Sequence, residues 1–198
     1  MNPLVAPSGT LRFVLTASVV FAADQLSKFW AVTRLSSALD PQGAALGSWP
    51  RWQRFWSVHH PVEIHEQVLF PSWWSFRYVE NPGAAWGFLS HSGWSLRTPF
   101  FAGIAIVAMG FLLNHFRQTH AHERRLRFAL AIVFGGALGN FVDRSRLGYV
   151  IDFIDWHYGP SGPHWPTFNV ADAAITVGVL LLMLDFSKER SANEGGRR

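Results

Sequence analysis

Four long apolar stretches constrain this chain more than any other feature of its sequence. They cover residues of about 11–32, 98–116, 128–147 and 168–186. At a rise of 1.5 Å per residue, helices of these lengths would be roughly 28–33 Å long, which matches the hydrocarbon core of a bilayer. The sequence therefore predicts an all-α membrane protein with four transmembrane helices, organised as one membrane domain over residues 1–198.

The composition favours the same class and excludes several others. Hydrophobic residues make up 49% of the chain and charged residues only 15%, which is too apolar for an ordinary soluble domain. The chain has no cysteine, so disulfides and thiolate metal sites are excluded. Its net charge of +4 comes without a basic helix or an aromatic–basic RNA motif, so we expect no nucleic acid as a partner.

The connecting loops predict the orientation in the membrane. The loop 117–127 holds four arginines against one glutamate, and the positive-inside rule places such a loop in the cytoplasm. With four spans, both termini are then cytoplasmic, and the connections 33–96 and 148–167 are periplasmic. Seven of the ten tryptophans lie in 33–96. Because indole favours the headgroup region, we expect this outer part to lie on the membrane surface.

The first apolar segment has a second interpretation. Arg12, the apolar run and the small residues around 20–22 resemble a cleavable signal peptide. Its removal would take away the partner of three further spans and leave Asp24 and Lys28 on a frayed end. An uncleaved first helix is therefore the favoured interpretation.

The first outer connection carries signals for local structure. The sequence SWPRWQRFW (48–56) predicts a short interfacial amphipathic helix, since its aromatic residues recur at helical spacing. Pro50 is expected at the first helical position. VLF (68–70) and FRYV (76–79) are rich in strand formers, so we expect a small periplasmic β-cradle. A turn is predicted at 81–83 from the sequence Asn-Pro-Gly.

Polar groups near the outer ends of the spans predict a shared pocket. Asp24, Asn140, Asp143 and Asp172 lie on three different predicted helices and at similar depth, counted from the outer ends of those helices. Ionisable groups are costly inside a bilayer and indicate a functional site by default. The sequence thus predicts a polar pocket that opens toward the outer surface.

The residue types in the chain narrow the chemistry of such a pocket. There is no cysteine nucleophile and no GxSxG elbow for a serine, and none of the nine histidines stands in an HExxH motif. HHPVEIHE (59–66) contains possible metal ligands, but exposed polar residues are the favoured interpretation, and neither a metal nor a cofactor is expected. Paired carboxylates remain. Two nearby aspartates share a proton, so one acts as base and one as acid in peptide hydrolysis.

Five segments, taken in chain order, resemble the motifs of the lipoprotein signal peptidases, which are bacterial inner-membrane aspartic endopeptidases. These segments are DQLSK (24–28), ENPGAAWG (80–87), GGALGNFVDR (135–144), GYVIDFIDW (148–156) and FNVADAAI (168–175). The resemblance implies a four-helix bundle with an outer β-cradle and a short surface helix. It also implies cleavage of prolipoprotein signal peptides just before a cysteine that already carries diacylglycerol. The implied partners are diacylglyceryl-modified prolipoproteins, membrane lipids and inhibitors of the globomycin type.

The resemblance also implies roles for single residues. By their positions in the motifs, Asp152 and Asp172 are the catalytic pair, and the neighbouring Asp155 is not. Asp143 has a structural role, and Arg144 contacts substrate or inhibitor.

The remaining candidates support this pair. By resemblance Asn81 reaches the substrate, and Gly83 beside it allows close backbone approach. Asn140 and Asn169 are suited to hydrogen-bond the carboxylates or the substrate backbone. Asp24 and Lys28, one helical turn apart, either join helices or line the pocket.

Each assignment has an ordinary structural alternative. Asp172 could be an acid favoured by the first turn of a helix, with Asn169 as its N-cap. Asp152 could be a solvated loop carboxylate, and Asp143 could form an interfacial ion pair with Arg144.

Two other classes of protein also use such a pocket. A four-span binding or scaffold protein would tolerate Asp→Asn at either candidate position. A transporter or a lipid-phosphate enzyme would use the buried acids, and a proton-coupled carrier would need a cytoplasmic access route. The inner halves of the spans carry few polar groups, which disfavours such a route.

One stretch departs from the resemblance. Residues of about 36–66 form a longer connection than is usual in the family. We expect its tryptophans to form an extra lip on the membrane surface, beside the entrance to the active site.

Overall fold

A computed structural model of the chain describes residues 7–40, 47–57, 61, 63–83, 94–159 and 162–195. The elements in these residues are, in order, α1 (Pro7–Leu35), α2 (Ser48–Phe55), β1 (Glu66–Phe70), β2 (Trp74–Asn81), α3 (Trp94–Gln118), α4 (Arg124–Leu147), β3 (Val150–Trp156) and α5 (Val170–Gly195). The four long helices α1, α3, α4 and α5 lie at the four apolar segments, and α5 begins two residues after the predicted start at 168.

Helix α4 is the centre of the helical part and packs against α1, α3 and α5. A close approach to α1 is possible because position 135 is glycine. A Cβ atom there would lie 2.6 Å from the carbonyl oxygen of Ala17, which is too close for any other residue. The spacing of Gly135 and Gly139 on one face of α4 thus fits the small-residue packing of membrane helices.

Two helices in the described residues are long and apolar enough to cross a membrane, Thr98–Gln118 and Arg124–Leu147. Helices α1 and α5 have 29 and 26 residues, but ionisable groups lie along their sequences, including Asp24 and Lys28 in α1. The arrangement of four spans therefore stays a prediction.

The small sheet has three antiparallel strands in the order β1-β2-β3. The predicted strands 68–70 and 76–79 lie within β1 and β2, so the expectation of a small sheet is confirmed. The third strand, β3, was not predicted. It comes from the second outer connection and pairs with β2 through Val79 opposite Asp152.

The sheet packs on the end of the helical part. Tyr78, Tyr149 and Ile151 are buried together with Val32 and Leu35 of α1. This core ties the sheet to the end of α1.

Helix α2 forms where the tryptophan-rich sequence predicted it, but it begins at Ser48. Pro50 is consequently the third helical residue instead of the first. That position is still in the first turn, where the missing proline N–H costs no intrahelical bond. Phe55 is fully buried against the core, whereas Trp49 is 68% exposed.

Candidate active site

A buried ionic network joins α1 to α4. Lys28 Nζ lies 2.8 Å from Asp24 Oδ2 and 2.8 Å from Asp143 Oδ2, and it donates to Asn140 Oδ1 at 3.0 Å. Lys28, Asp24 and Asp143 are completely buried. An ammonium group has three N–H donors, so all of them have an acceptor here. Full pairing of this kind is what a buried charge requires.

The same network reaches α5 through Asp24. Asp24 Oδ1 accepts the backbone N–H of Ala171 at 3.0 Å, which is one of the otherwise unpaired N–H groups in the first turn of α5. A Cβ atom at Gly139 would lie 2.4 Å from Asp24 Oδ2, so glycine provides the space for this carboxylate. Asp24 and Lys28 thus connect three helices.

Asp143 has two further partners, and neither of them is Arg144, the partner considered in the sequence analysis. Arg146 donates to its Oδ1 at 3.0 Å, and Gln25 Nε2 donates to the same oxygen at 3.2 Å. The alternative of an Asp143–Arg144 ion pair was therefore wrong, because Asp143 pairs with Lys28 and Arg146. Sequence reasoning gave no role to Gln25 or Arg146. A signal for Arg146 was its position three residues after Asp143, on the same helical face.

Asn169 and Asp172 shape the N-terminus of α5. Asn169 Oδ1 accepts the backbone N–H of Asp172 at 2.9 Å, and Asp172 Oδ2 accepts the backbone N–H of Asn169 at 3.3 Å. This reciprocal pattern is a capping box. Asp172 has a further partner, since Asn140 Nδ2 donates to its Oδ1 at 2.7 Å. The cap therefore holds Asp172 against α4.

Asp152 lies on β3 and is 1% exposed, so the alternative of a solvated loop carboxylate was wrong. Its Oδ1 accepts from Asn169 Nδ2 at 2.7 Å, and its Oδ2 accepts from Asn81 Nδ2 at 2.9 Å. Burial raises the pKa of Asp152 to about 7, and the nearby charge of Asp172 acts in the same direction. The desolvation of the charged form outweighs the stabilising amide donors.

The two carboxylates come from different elements but share one asparagine. Asn169 bonds Asp152 with its amide nitrogen and the backbone of Asp172 with its amide oxygen. The raised pKa of Asp152 suits it to hold a proton, and Asp172 lies in the first turn of α5. Such a pair can supply both an acid and a base.

Asn81 and Gly83 form a tight turn next to Asp152. The backbone N–H of Gly83 donates to Asn81 Oδ1 at 3.0 Å, and Gly83 has a φ of 112°, a value that favours glycine. A Cβ atom there would lie 2.5 Å from the Phe101 ring of α3. The rest of the motif, residues 84–87, lies outside the described residues.

Arg144 of α4 also lies near the Phe101 ring. Its guanidinium carbon is 5.6 Å from the centre of the Phe101 ring, within the range of a cation–π contact. Arg144 Nε is buried and has no hydrogen-bond partner among the described residues. This guanidinium therefore keeps an unused donor close to the turn at Gly83.

Asp155 is separated from this constellation by its own contacts. It is completely buried and accepts from Ser75 Oγ at 3.1 Å, while His164 Nδ1 lies 2.9 Å from its Oδ2. Its partners thus belong to the sheet and the second outer connection. Within the described parts of the chain, no group of three or more metal-ligating side chains could hold a metal ion. Positions 59, 60 and 62 of HHPVEIHE lie outside those parts.

Comparisons with known proteins agree on one family. The sequence pattern described as signal peptidase (SPase) II matches residues 16–188. A lipoprotein signal peptidase of Anaeromyxobacter sp. (strain Fw109-5) is 40% identical over 179 residues, covering 88% of this chain and 84% of the relative. One from Geobacter sulfurreducens is 47% identical over 133 residues, covering 67% of this chain and 81% of the relative. A solved bacterial membrane enzyme has a TM-score of 0.64 at 27% identity, covering 91% of this chain and 90% of its own.

Proposed function

The chain belongs to the lipoprotein signal peptidase (signal peptidase II) family, and from that premise we propose that it is an aspartic endopeptidase of the bacterial inner membrane. Its substrates are prolipoproteins that already carry diacylglycerol, and it cleaves their signal peptides just before the lipidated cysteine. The observation that carries the proposal is the pairing of Asp152 and Asp172 through Asn169.

In the proposed mechanism, Asp172 is the base and Asp152 is the acid. Asp172 takes a proton from water, and the water oxygen attacks the scissile carbonyl carbon. Asp152 protonates the carbonyl oxygen, which gives a tetrahedral intermediate with two hydroxyl groups. The C–N bond then breaks as Asp172 passes its proton to the leaving amine, and one hydroxyl returns a proton to Asp152, so that the new carboxyl group forms and the pair is regenerated. The raised pKa of Asp152, to about 7, and the placement of Asp172 at a helix N-terminus support these roles.

Three other residues are proposed to hold the substrate. Asn81 and Gly83 line one side of Asp152 and offer a turn that an extended peptide can approach closely. Arg144, whose Nε has no partner among the described residues, is suited to donate to a substrate carbonyl. Globomycin-type inhibitors would occupy the same space beside Asp152 and Arg144.

Asn140 and Asn169 hold the carboxylates. Asp24, Lys28 and Asp143 fix the three helices that carry the site, and none of these three side chains is exposed.

The proposed membrane arrangement has four spans, cytoplasmic termini and an active site on the periplasmic side. Apolar side chains on the outer faces of the helices support it, because such faces suit contact with lipid. These residues are Leu11, Leu15 and Val19 on α1, Ile104, Val107 and Phe111 on α3, and Val177, Leu180 and Met183 on α5, each more than half exposed. The basic loop 117–127 sets the orientation.

The test is cleavage of a diacylglyceryl-modified prolipoprotein by the purified protein, followed on a gel. Wild type should cleave, and Asp152→Asn and Asp172→Asn should not. Asp185→Asn is a matched control, because Asp185 lies on α5 but pairs with Arg125 at 3.3 Å. If one of the first two variants cleaves at the wild-type rate, the assignment of the pair is wrong, and Asp143 or Asp155 becomes the candidate. An inert wild type on several lipidated substrates would favour a binding protein.

A further inference from the structure

A cavity of about 240 Å³ lies at the other end of the helical part, between the N-terminal parts of α1 and α4. It is separated from Asn140 by 13 residues of α4, or about 20 Å along the helix. Its polar lining consists of Arg12, Thr16, Arg124 and Arg127. Three arginines therefore line one small space, and none of the described residues that line it is a carboxylate.

Arg127 is the unusual member of this lining. It is only 7% exposed, and its Nε and Nη2 atoms have no hydrogen-bond partner among the described residues. Its guanidinium stacks over the Phe116 ring, with 4.6 Å between the guanidinium carbon and the ring centre. A buried guanidinium with unused donors is costly unless an acceptor reaches it. Arg125 in the same turn differs, because it pairs with Asp185.

The surroundings of Arg127 keep its donors in place. A Cβ atom at Gly9 would lie 2.5 Å from Arg127 Nη2, so glycine at this position of α1 admits the guanidinium. Arg12 and Arg124 are exposed, and they can approach a ligand from the open side of the cavity. The planar guanidinium fork matches the geometry of phosphate oxygens, to which it donates two parallel hydrogen bonds.

We propose that this cavity binds the phosphate group of an anionic phospholipid from the cytoplasmic leaflet. The volume is below the range of about 300–1,000 Å³ for pockets that enclose a whole small molecule, so it suits a headgroup phosphate. Phe13 and Phe128 line the cavity beside the arginines, and Phe128 is 51% exposed. Basic pockets between membrane helices on the cytoplasmic side bind such headgroups. The site does not depend on the peptidase activity, but it rests on the membrane arrangement proposed above, which places the segment 117–127 on the cytoplasmic side.

The test measures lipid retention by the full-length protein in phosphatidylcholine nanodiscs that contain phosphatidylglycerol. Native mass spectrometry counts the bound lipid, and the thermal midpoint is compared with and without phosphatidylglycerol. Arg127→Gln should weaken phosphatidylglycerol binding about tenfold, the effect of a lost charged hydrogen bond. Arg117→Gln is the matched control, since it removes one charge from the same basic segment, 117–127, at an exposed position near the end of α3 and outside the cavity. It should bind like wild type.

One further variant and one further ligand complete the test. Arg12→Gln changes an exposed residue, so it should fold even if Arg127→Gln does not, and it should also weaken binding. Inorganic phosphate replaces the lipid in the second arm. Stabilisation by both ligands would identify phosphate itself as the recognised group, and stabilisation by the lipid alone would identify the whole headgroup. Equal binding by wild type and Arg12→Gln or Arg127→Gln, or an equal loss in Arg117→Gln, would overturn the proposal.

Discussion

Asn169 Nδ2 lies 2.7 Å from Asp152 Oδ1, and this single amide fixes a strand carboxylate relative to the first turn of α5. The oxygen of the same amide caps α5 at the backbone N–H of Asp172. Folding of the helix terminus and assembly of the proposed catalytic pair thus depend on the same side chain.

The two functions of Asn169 can be separated by substitution. Asn169→Ser keeps an oxygen that can cap the helix, but it lacks the N–H group that bonds Asp152. We expect Asn169→Ser to be more stable than Asn169→Ala by about 1 kcal/mol, the effect of an N-cap. Both variants should lose about 100-fold in cleavage rate, because Asp152 is no longer held in place. Thermal midpoints and initial rates test this, and wild-type cleavage by the serine variant would contradict it.

The ionic network predicts a large effect at Lys28. Lys28→Met leaves the buried Asp24 without its cation and leaves Asp143 with Arg146 alone, which should cost about 3–5 kcal/mol of stability. Arg51→Met is the control, because Arg51 pairs with Asp40 at 2.7 Å in a partly exposed position, with side chains 28% and 26% exposed. The loss there should be about 0–1 kcal/mol. Denaturation of both variants in detergent provides the comparison, and similar losses would argue against a structural role for the network.

The pKa of Asp152 predicts how activity depends on pH. Its value of about 7 means that the proposed acid loses its proton as the pH rises through neutrality. Cleavage by wild type should therefore fall above about pH 7. A rate that stays constant from pH 6 to about pH 9 would exclude Asp152 as the acid.

The stability of the folded protein should also depend on the protonation of Asp152. The folded pKa is above the ordinary value of 3.8, so the folded state binds more protons and its stability decreases between about pH 4 and pH 7. Above the folded pKa of Asp152, this group causes no further loss of stability. Asp152→Asn removes this titration, so the stability of wild type relative to the variant should decrease over that interval. A pH-independent difference in thermal midpoint would contradict the linkage.

Local sequence signals predicted the long helices and the cap of α5. Each apolar run is continuous in the chain, and the capping pattern of Asn169 and Asp172 spans only four residues. The catalytic candidates came from the resemblance of whole motifs. These features need no knowledge of which segments meet in space.

Other features depend on contacts between distant segments and were missed. The strand β3 was treated as a loop because its partner, β2, lies about 70 residues earlier in the chain. The β-branched and aromatic residues of VIDFIDW were the available signal, although its apolar residues do not alternate with polar ones. The burial of Asp152 follows from that pairing. The choice of Arg146 over Arg144 as partner of Asp143 is different, because spacing could have shown it: residues three apart on a helix are neighbours, whereas adjacent residues do not face each other.

The tryptophan-rich connection should have two separable roles. Phe55 of α2 is completely buried and packs on Phe29, 5.5 Å between ring centres, so Phe55→Ala should cost about 3–5 kcal/mol. Trp49 is 68% exposed, so Trp49→Ala should leave stability unchanged but weaken contact with lipid. Quenching of tryptophan fluorescence by brominated lipids measures that contact. Unchanged quenching in Trp49→Ala would contradict the expected membrane-surface lip.

Glycine at position 139 should be required for both stability and activity. In Gly139→Ala, the new Cβ would lie 2.4 Å from Asp24 Oδ2, so Asp24 must turn away or α1 must shift. Either movement weakens the bonds of Asp24 to Lys28 and to the backbone N–H of Ala171. We expect a loss of about 1–3 kcal/mol, as for other overpacked positions, and slower cleavage because the N-terminus of α5 carries Asp172.

Gly103→Ala is the control for the intrinsic helix preference of alanine. A Cβ atom at Gly103 of α3 would have no atom within 4 Å. Alanine there should be neutral or stabilise by up to about 1 kcal/mol, because alanine favours the helix over glycine. Thermal midpoints of both variants separate the steric effect from helix propensity. Equal midpoints would mean that α1 and α4 adjust to the added methyl group, and that Asp24 does not depend on the close approach at Gly139.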